Sequence, residues 1–173
     1  MPNWCENEVI ISGDKDKVKE LVELMTPRFD YNRLIPMPEE LLGSRSPAMI
    51  ISQKEYEIQE INNREIIAKA KQEGKEIPVF SLGDGITIEM SNSFIEKYGY
   101  DNWYDWSVKN WGTKWNACRV EFEYKDGSDY AVYVFDSPWN PPDKVCFALR
   151  NKFPELEIEW NYNEEGMQLS GGL

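Results

Sequence analysis

Residues 117–136 constrain the fold more than any other stretch. Cys118, Val120, Phe122 and Tyr124 alternate with Arg119, Glu121 and Glu123, the period of a half-buried strand. Lys125-Asp126-Gly127-Ser128 follows, and Asp-Gly between two strand patterns is the strongest short hairpin signal. The partner run, Asp129 to Asp136, is apolar on both faces, as a strand inside a sheet would be. An antiparallel pair is therefore the nucleus to which the rest of the chain must be fitted.

Three further segments fit it. In WCENEVIISG, Cys5, Asn7, Val9 and Ile11 point one way and Glu6, Glu8 and Ile10 the other, up to Gly13. Asp14 can cap a helix whose Val18, Leu21, Val22 and Met25 form one apolar stripe, with Pro27 ending it. After the hairpin, Asn140 precedes Pro141 and Pro142 with Asp143 beyond them, which predicts an Asn-capped helix. Its stripe is Val145, Ala148, Leu149 and Phe153, and Pro154 stops it. Then Leu156, Ile158, Trp160 and Tyr162 alternate with Glu157, Glu159 and Asn161, a last strand.

The order is β-α, a long interval, then β-β-α-β. That is the split βαβ arrangement: an α+β, ferredoxin-like βαββαβ fold with an antiparallel sheet in strand order 4-1-3-2. The expected organisation is one domain over 1–173 with a large, mainly helical insertion at 27–116, too long for a plain loop. Within it a long helix is predicted from Ser46-Pro47 to Gly74. A turn-rich stretch follows from Pro78 to Gly85. A short helix runs from Ser91 or Asn92 to Gly99, and another from Asp101 to Trp111 closes at Gly112.

Composition narrows the chemistry. The chain has no histidine, which removes the commonest general base, the usual partner of a nucleophilic Ser or Cys, and the usual nitrogen ligand for metals. Its three cysteines, Cys5, Cys118 and Cys146, have no CxxC spacing and read as small core hydrophobes. Neither a phosphate-binding glycine loop nor a nucleophile-base pair is present, so hydrolase or transferase turnover is not expected. No cofactor and no metal site is predicted. No apolar run approaches the roughly 20 residues of a membrane span. MPNWCENEV lacks the basic start and apolar core of a signal peptide, so the expected compartment is the cytoplasm.

The formal net charge is −12. It disfavours generic nucleic-acid binding. Strand alternation puts Glu6, Glu8, Glu121, Glu123, Glu157 and Glu159 on the sheet face away from the helices, with Arg119 the exception. RNA-binding domains of this topology carry aromatics and basic residues there, and this chain carries glutamates. On neighbouring first and fourth strands, Glu6 and Glu8 are expected to face Glu157 and Glu159, and like charges so placed repel. Solvation, cover by basic residues of the insertion, a divalent cation or a basic protein partner would each offset that repulsion.

Seven tryptophans are concentrated in a few motifs. Trp103, Trp106 and Trp111 follow a helical spacing, Trp115 lies just before a strand, Trp4 begins one, and Trp139 precedes a helix. Two uses stay open. One is an aromatic seam between the insertion and the sheet unit, in which NWGTKWNAC is a structural clamp. There Gly112 is left-handed, Thr113 and Asn116 bond the connection, Trp115 is buried, and Cys118 is the first inward residue of its strand. Truncating Trp115 would then cost about 3–5 kcal/mol, and truncating Lys114 under about 0.5. The other use is a ligand pocket, with indoles stacking on a flat nucleotide- or sugar-like molecule. Its candidate residues are Asn3, Trp4, Trp111, Lys114, Trp115, Asn116, Asp136, Trp139 and Asn140.

MPNWC with Asn7, NWGTKWNA and FDSPWNPP, in that order, resemble motifs of a family of phage- and plasmid-encoded proteins with a ferredoxin-like domain. The similarity spans nearly the whole chain. It implies the fold with its insertion and a home on mobile elements, and it implies no activity. The matching positions are Asn3, Trp4, Cys5 and Asn7; Trp111, Gly112, Thr113, Lys114, Trp115 and Asn116; and Phe135, Asp136, Trp139 and Pro141. Relatives run on after a Gly-rich segment like SGGL, so a short or missing final strand is expected here. The expected function is a non-enzymatic accessory protein that binds a protein partner, basic in charge, through the acidic surface or the insertion. The alternative is a small-ligand binder or enzyme at the Trp and Asn motifs.

Overall fold

A computed structural model describes residues 3–26, 28–42, 44–75 and 85–173. Nearly all of the turn-rich stretch predicted from Pro78 onward lies outside these residues, as does Pro27, the expected helix stop. The described elements are β1 (Trp4–Ser12), α1 (Lys15–Met25), two short 3-10 turns (Tyr31–Arg33 and Glu39–Leu41), α2 (Gln53–Gln72), α3 (Ile88–Tyr98), α4 (Trp103–Trp111), β2 (Cys118–Tyr124), β3 (Tyr130–Pro138), α5 (Asp143–Lys152), β4 (Glu157–Glu164) and β5 (Leu169–Gly172). The chain divides into two compact units, residues 37–106 and the remainder.

In the sheet unit the strand order is β2-β3-β1-β4-β5, every neighbouring pair antiparallel. This is the ferredoxin-like order 4-1-3-2 with a fifth strand added beside β4. β3 is interior, as its two apolar faces predict. The final strand is present but short, four residues paired to Asn161–Glu164.

The two faces of the sheet differ. Cys5, Asn7, Val9 and Ile11 of β1 are buried, as are Ala131, Tyr133 and Phe135 of β3 and Ile158 and Trp160 of β4. The core also takes Val18, Leu21, Val22 and Met25 of α1, and Val145, Cys146 and Leu149 of α5. Cys146, rather than the predicted Ala148, completes the stripe of α5, since Ala148 is only half-buried. Phe29 sits among the aromatics, stacked on Phe135 at 4.8 Å between ring centres and edge-on to Tyr133 and Trp160. Such offset and edge contacts add to what area burial alone supplies.

One buried polar group organises this core. Asn7 is fully buried. Its Nδ2 donates to the Cys5 carbonyl at 2.9 Å and to Ser137 Oγ at 2.9 Å, and its Oδ1 accepts from Trp160 Nε1 at 3.1 Å. Ser137 Oγ in turn donates to the Asn140 carbonyl at 2.7 Å. Three strands and the entrance to α5 are thus joined through one amide, which satisfies groups that would otherwise be costly to bury.

Several boundaries differ from expectation. α5 begins at Asp143, not at an Asn140 cap; Asn140 N donates to Pro138 O and the two prolines form a turn before the helix. α2 begins after Ser52, whose side chain and Glu55 form a reciprocal capping box, so Ser46-Pro47 lies outside it. α3 starts at Ile88 behind a Thr87 cap, earlier than Ser91, and ends at a left-handed Gly99. α4 starts at Trp103 rather than Asp101. β2 contains a register shift between Cys118 and Glu121, with Arg119 at φ 51°. An extra residue of this kind breaks strict alternation. Cys118 is accordingly only half-buried, and Phe122 is 46% exposed.

The residues of the 37–106 unit pack less tightly. In α2 only Asn63 and Ala70 are buried, and Ile58, Ile61 and Ile66 are 51%, 56% and 38% exposed. Within this unit Tyr98 Oη and Lys97 Nζ both donate to Glu40, and Ser44 Oγ accepts from Trp103 N.

Candidate functional site

The open face of the sheet comes from β1 parity. Trp4, Glu6, Glu8 and Ile10 project away from the core, beside Pro138, Asp136, Val134 and Val132 of β3. On the other side of β1, Glu6, Glu8, Ile10 and Ser12 pair with Asn163, Asn161, Glu159 and Glu157. The register corrects one expectation: Glu6 and Glu8 lie opposite asparagines, and Glu157 and Glu159 lie opposite Ser12 and Ile10. Antiparallel pairing places the start of β1 against the end of β4, so no two of these carboxylates are directly opposed across that pair, and repulsion is limited to diagonals. Glu121 and Glu123 flank Val134 and Val132 from β2. The face is therefore a half-exposed strip, Ile10, Val132 and Val134, bordered by exposed Glu8, Glu121, Glu123 and Glu159. Among the described residues, none of the six face glutamates pairs with a cation within 4.0 Å.

At one end of this face the tryptophan motifs meet. Trp4 and Trp115 lie 6.3 Å apart between ring centres. Lys114 Nζ sits 4.0 Å from the Trp115 ring centre and 4.2 Å from that of Trp139, held between two indoles. The Arg119 guanidinium lies over Trp4 at 4.7 Å and forms an ion pair with Asp136. Trp139 N donates to Asn3 O at 2.9 Å, and Thr113 Oγ1 donates to Pro138 O at 2.8 Å. Two residues of the cluster, Arg119 and Trp139, have positive φ, 51° and 69°. Side chains rarely tolerate that region, and such strain collects where function over-determines the backbone.

The nine candidate ligand residues separate. Asn3, Trp4, Lys114, Trp115, Asp136 and Trp139 come together. Trp111 does not: it is buried, edge-on to Tyr31, with its indole N–H on the Ile35 carbonyl at 2.9 Å. Asn116 is also elsewhere. Its Oδ1 accepts from Tyr31 N and Ala117 N, and its Nδ2 donates to Asp30. Asn140 has an exposed side chain and takes part only through its backbone. The clamp expectation is corrected at two points. Gly112 is left-handed at φ 88° as expected, but Trp115 is 39% exposed, because its ring rests on Lys114 and Trp4 rather than in the core. Thr113 bonds the end of β3, not its own connection.

Three residues escaped the sequence reading. Arg119 stood out only as an exception among glutamates. Ser137 lay inside FDSPW without a role. Glu164, 1% exposed, carried no signal: its alternation with Asn163 is that of any strand end. Beside it a concavity of about 420 Å³ is walled by Asn3, Trp4, Glu6, Asp136, Asn163, Glu164, Glu165 and Gly166.

The thiols are subdued. Burial, ahead of the nearby Glu164 and Asp136 carboxylates, pushes Cys5 up to about 11, and burial also raises Cys118 and Cys146. Among the described residues no group of three or more Cys, Asp or Glu is placed to hold a metal ion, and no helix is long and apolar enough to cross a membrane.

With this geometry in hand, similarity to known proteins adds the fold's relatives. Residues 110–173 match the family model described as the ferredoxin-like domain in Api92-like protein. The crystal structure of the protein api92 from Yersinia pseudotuberculosis is similar with a TM-score of 0.55 and 13% identity, over 99% of this chain and 93% of that one. At that identity the likeness speaks to the fold and not to chemistry.

Proposed function

We propose that this chain is a non-enzymatic accessory protein of a phage or plasmid, and that it binds a basic protein partner through the open face of its sheet. One observation carries the reading. A half-exposed strip of Ile10, Val132 and Val134 lies between four glutamates that, among the described residues, have no cation within 4.0 Å. Apolar area supplies affinity on binding, and the surrounding carboxylates select a partner of opposite charge and speed its encounter. The mobile-element origin rests on the three sequence motifs.

The test is capture of a partner by the full chain, against a variant with Glu8, Glu121, Glu123 and Glu159 changed to lysine. A basic protein held at low salt, released by added salt and not held by the variant is the expected result. A partner retained equally by the charge-reversed protein overturns the reading.

A second reading has support of its own. Trp115 and Trp139 are 39% and 40% exposed, and Trp139 is held at positive φ, which suits a platform for a flat nucleotide- or sugar-like ligand. A thermal shift with such ligands that disappears in Trp139→Ala would favour it over the first.

A further inference from the structure

Resting on that reading of the acidic face, we infer that the concavity at the end of the sheet is a receptor for the guanidinium group of an arginine side chain on the partner. Its walls include Asn3, Trp4, Glu6, Asp136 and Glu164. A cluster of acids alone would say little. The second observation is Glu164. Its side chain is buried, Oε2 accepts from Met167 N across the β4–β5 turn, and buried Oε1 has no hydrogen-bond donor among the described residues. A buried carboxyl oxygen left without a donor costs free energy comparable to a lost charged hydrogen bond, so a donor supplied from outside gains by reaching it.

The route to it is short. A Cβ placed on Gly166 would lie 2.3 Å from Asn3 Nδ2 and 3.0 Å from Glu164 Oε1. Glycine at 166 leaves room there that the exposed Asn3 side chain occupies. Rotation of Asn3 opens the way from the concavity to Oε1, and its own amide oxygen becomes an acceptor there.

The chemistry favours guanidinium over ammonium. The cluster already holds one: Arg119 lies over the Trp4 ring while pairing with Asp136. A planar cation that stacks on indole and donates in a fork fits carboxylates set at the edge of an aromatic ring, as a compact, strongly hydrated ammonium does not. Glu6 on the open face and Glu164, paired with Cys5 on the core side at the end of β4, supply two acceptors of opposite burial, one for steering and one for hold. No metal fits better, since the described carboxylates do not form a group of metal ligands.

The test uses the full chain and N-acetylarginine amide, with N-acetylcitrulline amide and N-acetyllysine amide as controls, read by NMR shifts of the Trp4 indole N–H and the Asn3 side-chain amide. Saturable shifts with the arginine probe are expected, weaker with lysine and absent with the neutral citrulline. Glu164→Gln, which keeps an acceptor for Met167 N, and Glu6→Gln, which touches no core, should each weaken binding about tenfold, the loss of a charge-assisted hydrogen bond. Glu23→Gln, at an exposed position of α1 outside both the concavity and the acidic face, should leave it unchanged. Equal shifts from citrulline, no saturation, or indifference to both cavity variants overturns the inference. If the amide fails while the captured partner still depends on the four face glutamates, the guanidinium site falls and the face reading stands. If the amide binds while no partner depends on the face, the reverse holds.

Discussion

Replacing Asn7 by leucine should unfold the protein's logic at its centre. Leucine keeps asparagine's branched shape with a larger volume, so the change removes hydrogen bonds and leaves no cavity. Two things are lost. The amide no longer donates to Ser137 Oγ and the Cys5 carbonyl, both at 2.9 Å. The indole N–H of Trp160, which is 1% exposed, loses its acceptor at 3.1 Å. Ser137 Oγ keeps the Asn140 carbonyl, so its loss is partial. An orphaned buried donor costs about 1–3 kcal/mol, and each lost neutral hydrogen bond about 1, against a gain of about 1–2 from burying leucine rather than an amide. The expected net loss is about 2–3 kcal/mol, measured by urea denaturation with linear extrapolation. A double-mutant cycle with Trp160→Phe isolates the shared bond and should give a coupling of about 1 kcal/mol. A loss within about 0.5 kcal/mol for Asn7→Leu, or zero coupling, would refute the claim that this amide organises the core.

Gly112→Ala should be more damaging than an ordinary glycine replacement: φ is 88° and the new Cβ would lie 2.1 Å from Asp143 Oδ1 and 3.0 Å from Asp143 N, so a loss above about 2 kcal/mol is expected in the same urea assay. Trp115→Ala should cost about 1–2 kcal/mol rather than 3–5, because the ring is 39% exposed, and Lys114→Ala about 1, because its ammonium serves two rings; equal, negligible losses would show the cluster to be loose. Glu40 is held down to about 2 by hydrogen bonds, first from Tyr98 and then from its own backbone and Lys97. A depressed carboxylate stabilises the fold above its ordinary value of 4.5 and loses that contribution as pH falls through about 2, so its carboxyl carbon should titrate near 2 and move upward in Tyr98→Phe; an unmoved midpoint would remove Tyr98 as the cause. Cys5 should resist alkylation at pH 8 in the folded protein while half-buried Cys118 reacts first, followed by mass spectrometry; rapid labelling of Cys5 would contradict its burial and raised pKa.

What could be read from the sequence was what is periodic. Alternation in residues 4–12, 118–124 and 156–162, an apolar run over 129–136, and Asp126-Gly127 ahead of that run suffice for four strands, and the split βαβ order arranges them. Features that depend on one residue more or less were not legible. The extra residue near Arg119 shifts β2 against β3 without disturbing the hydrophobic pattern enough to announce itself. The β1–β4 register, which sets asparagines against Glu6 and Glu8, follows from where the β4 strand starts relative to Gly13 and not from alternation. Asn140 has the chemistry of a cap, but the geometry of two consecutive prolines delays the helix to Asp143. Trp115 reads as core by residue type, and only the position of Lys114 explains why it stays half outside.

The parity of β1 divides its motif into two motifs with different physical reasons. Cys5 and Asn7 enter the core, where Asn7, Ser137 and Trp160 account for one another through hydrogen bonds. Trp4 and Glu6 face outward beside Asp136, Arg119 and Trp115. Packing explains the first set in full. It explains the second set poorly, since half-exposed indoles and surface ion pairs contribute little to stability, and residues at positive φ cost about 1–3 kcal/mol each. Arg119 and Trp139 carry that cost on the solvent side of the sheet, and at the end of β4 one oxygen of the buried Glu164 carboxyl has no donor among the described residues. A fold optimised for stability alone would put glycine at 119 and 139 and a neutral residue at 164. The side chains found there instead are a forked cation, an indole and an acid, and recognition gives a physical reason for retaining all three.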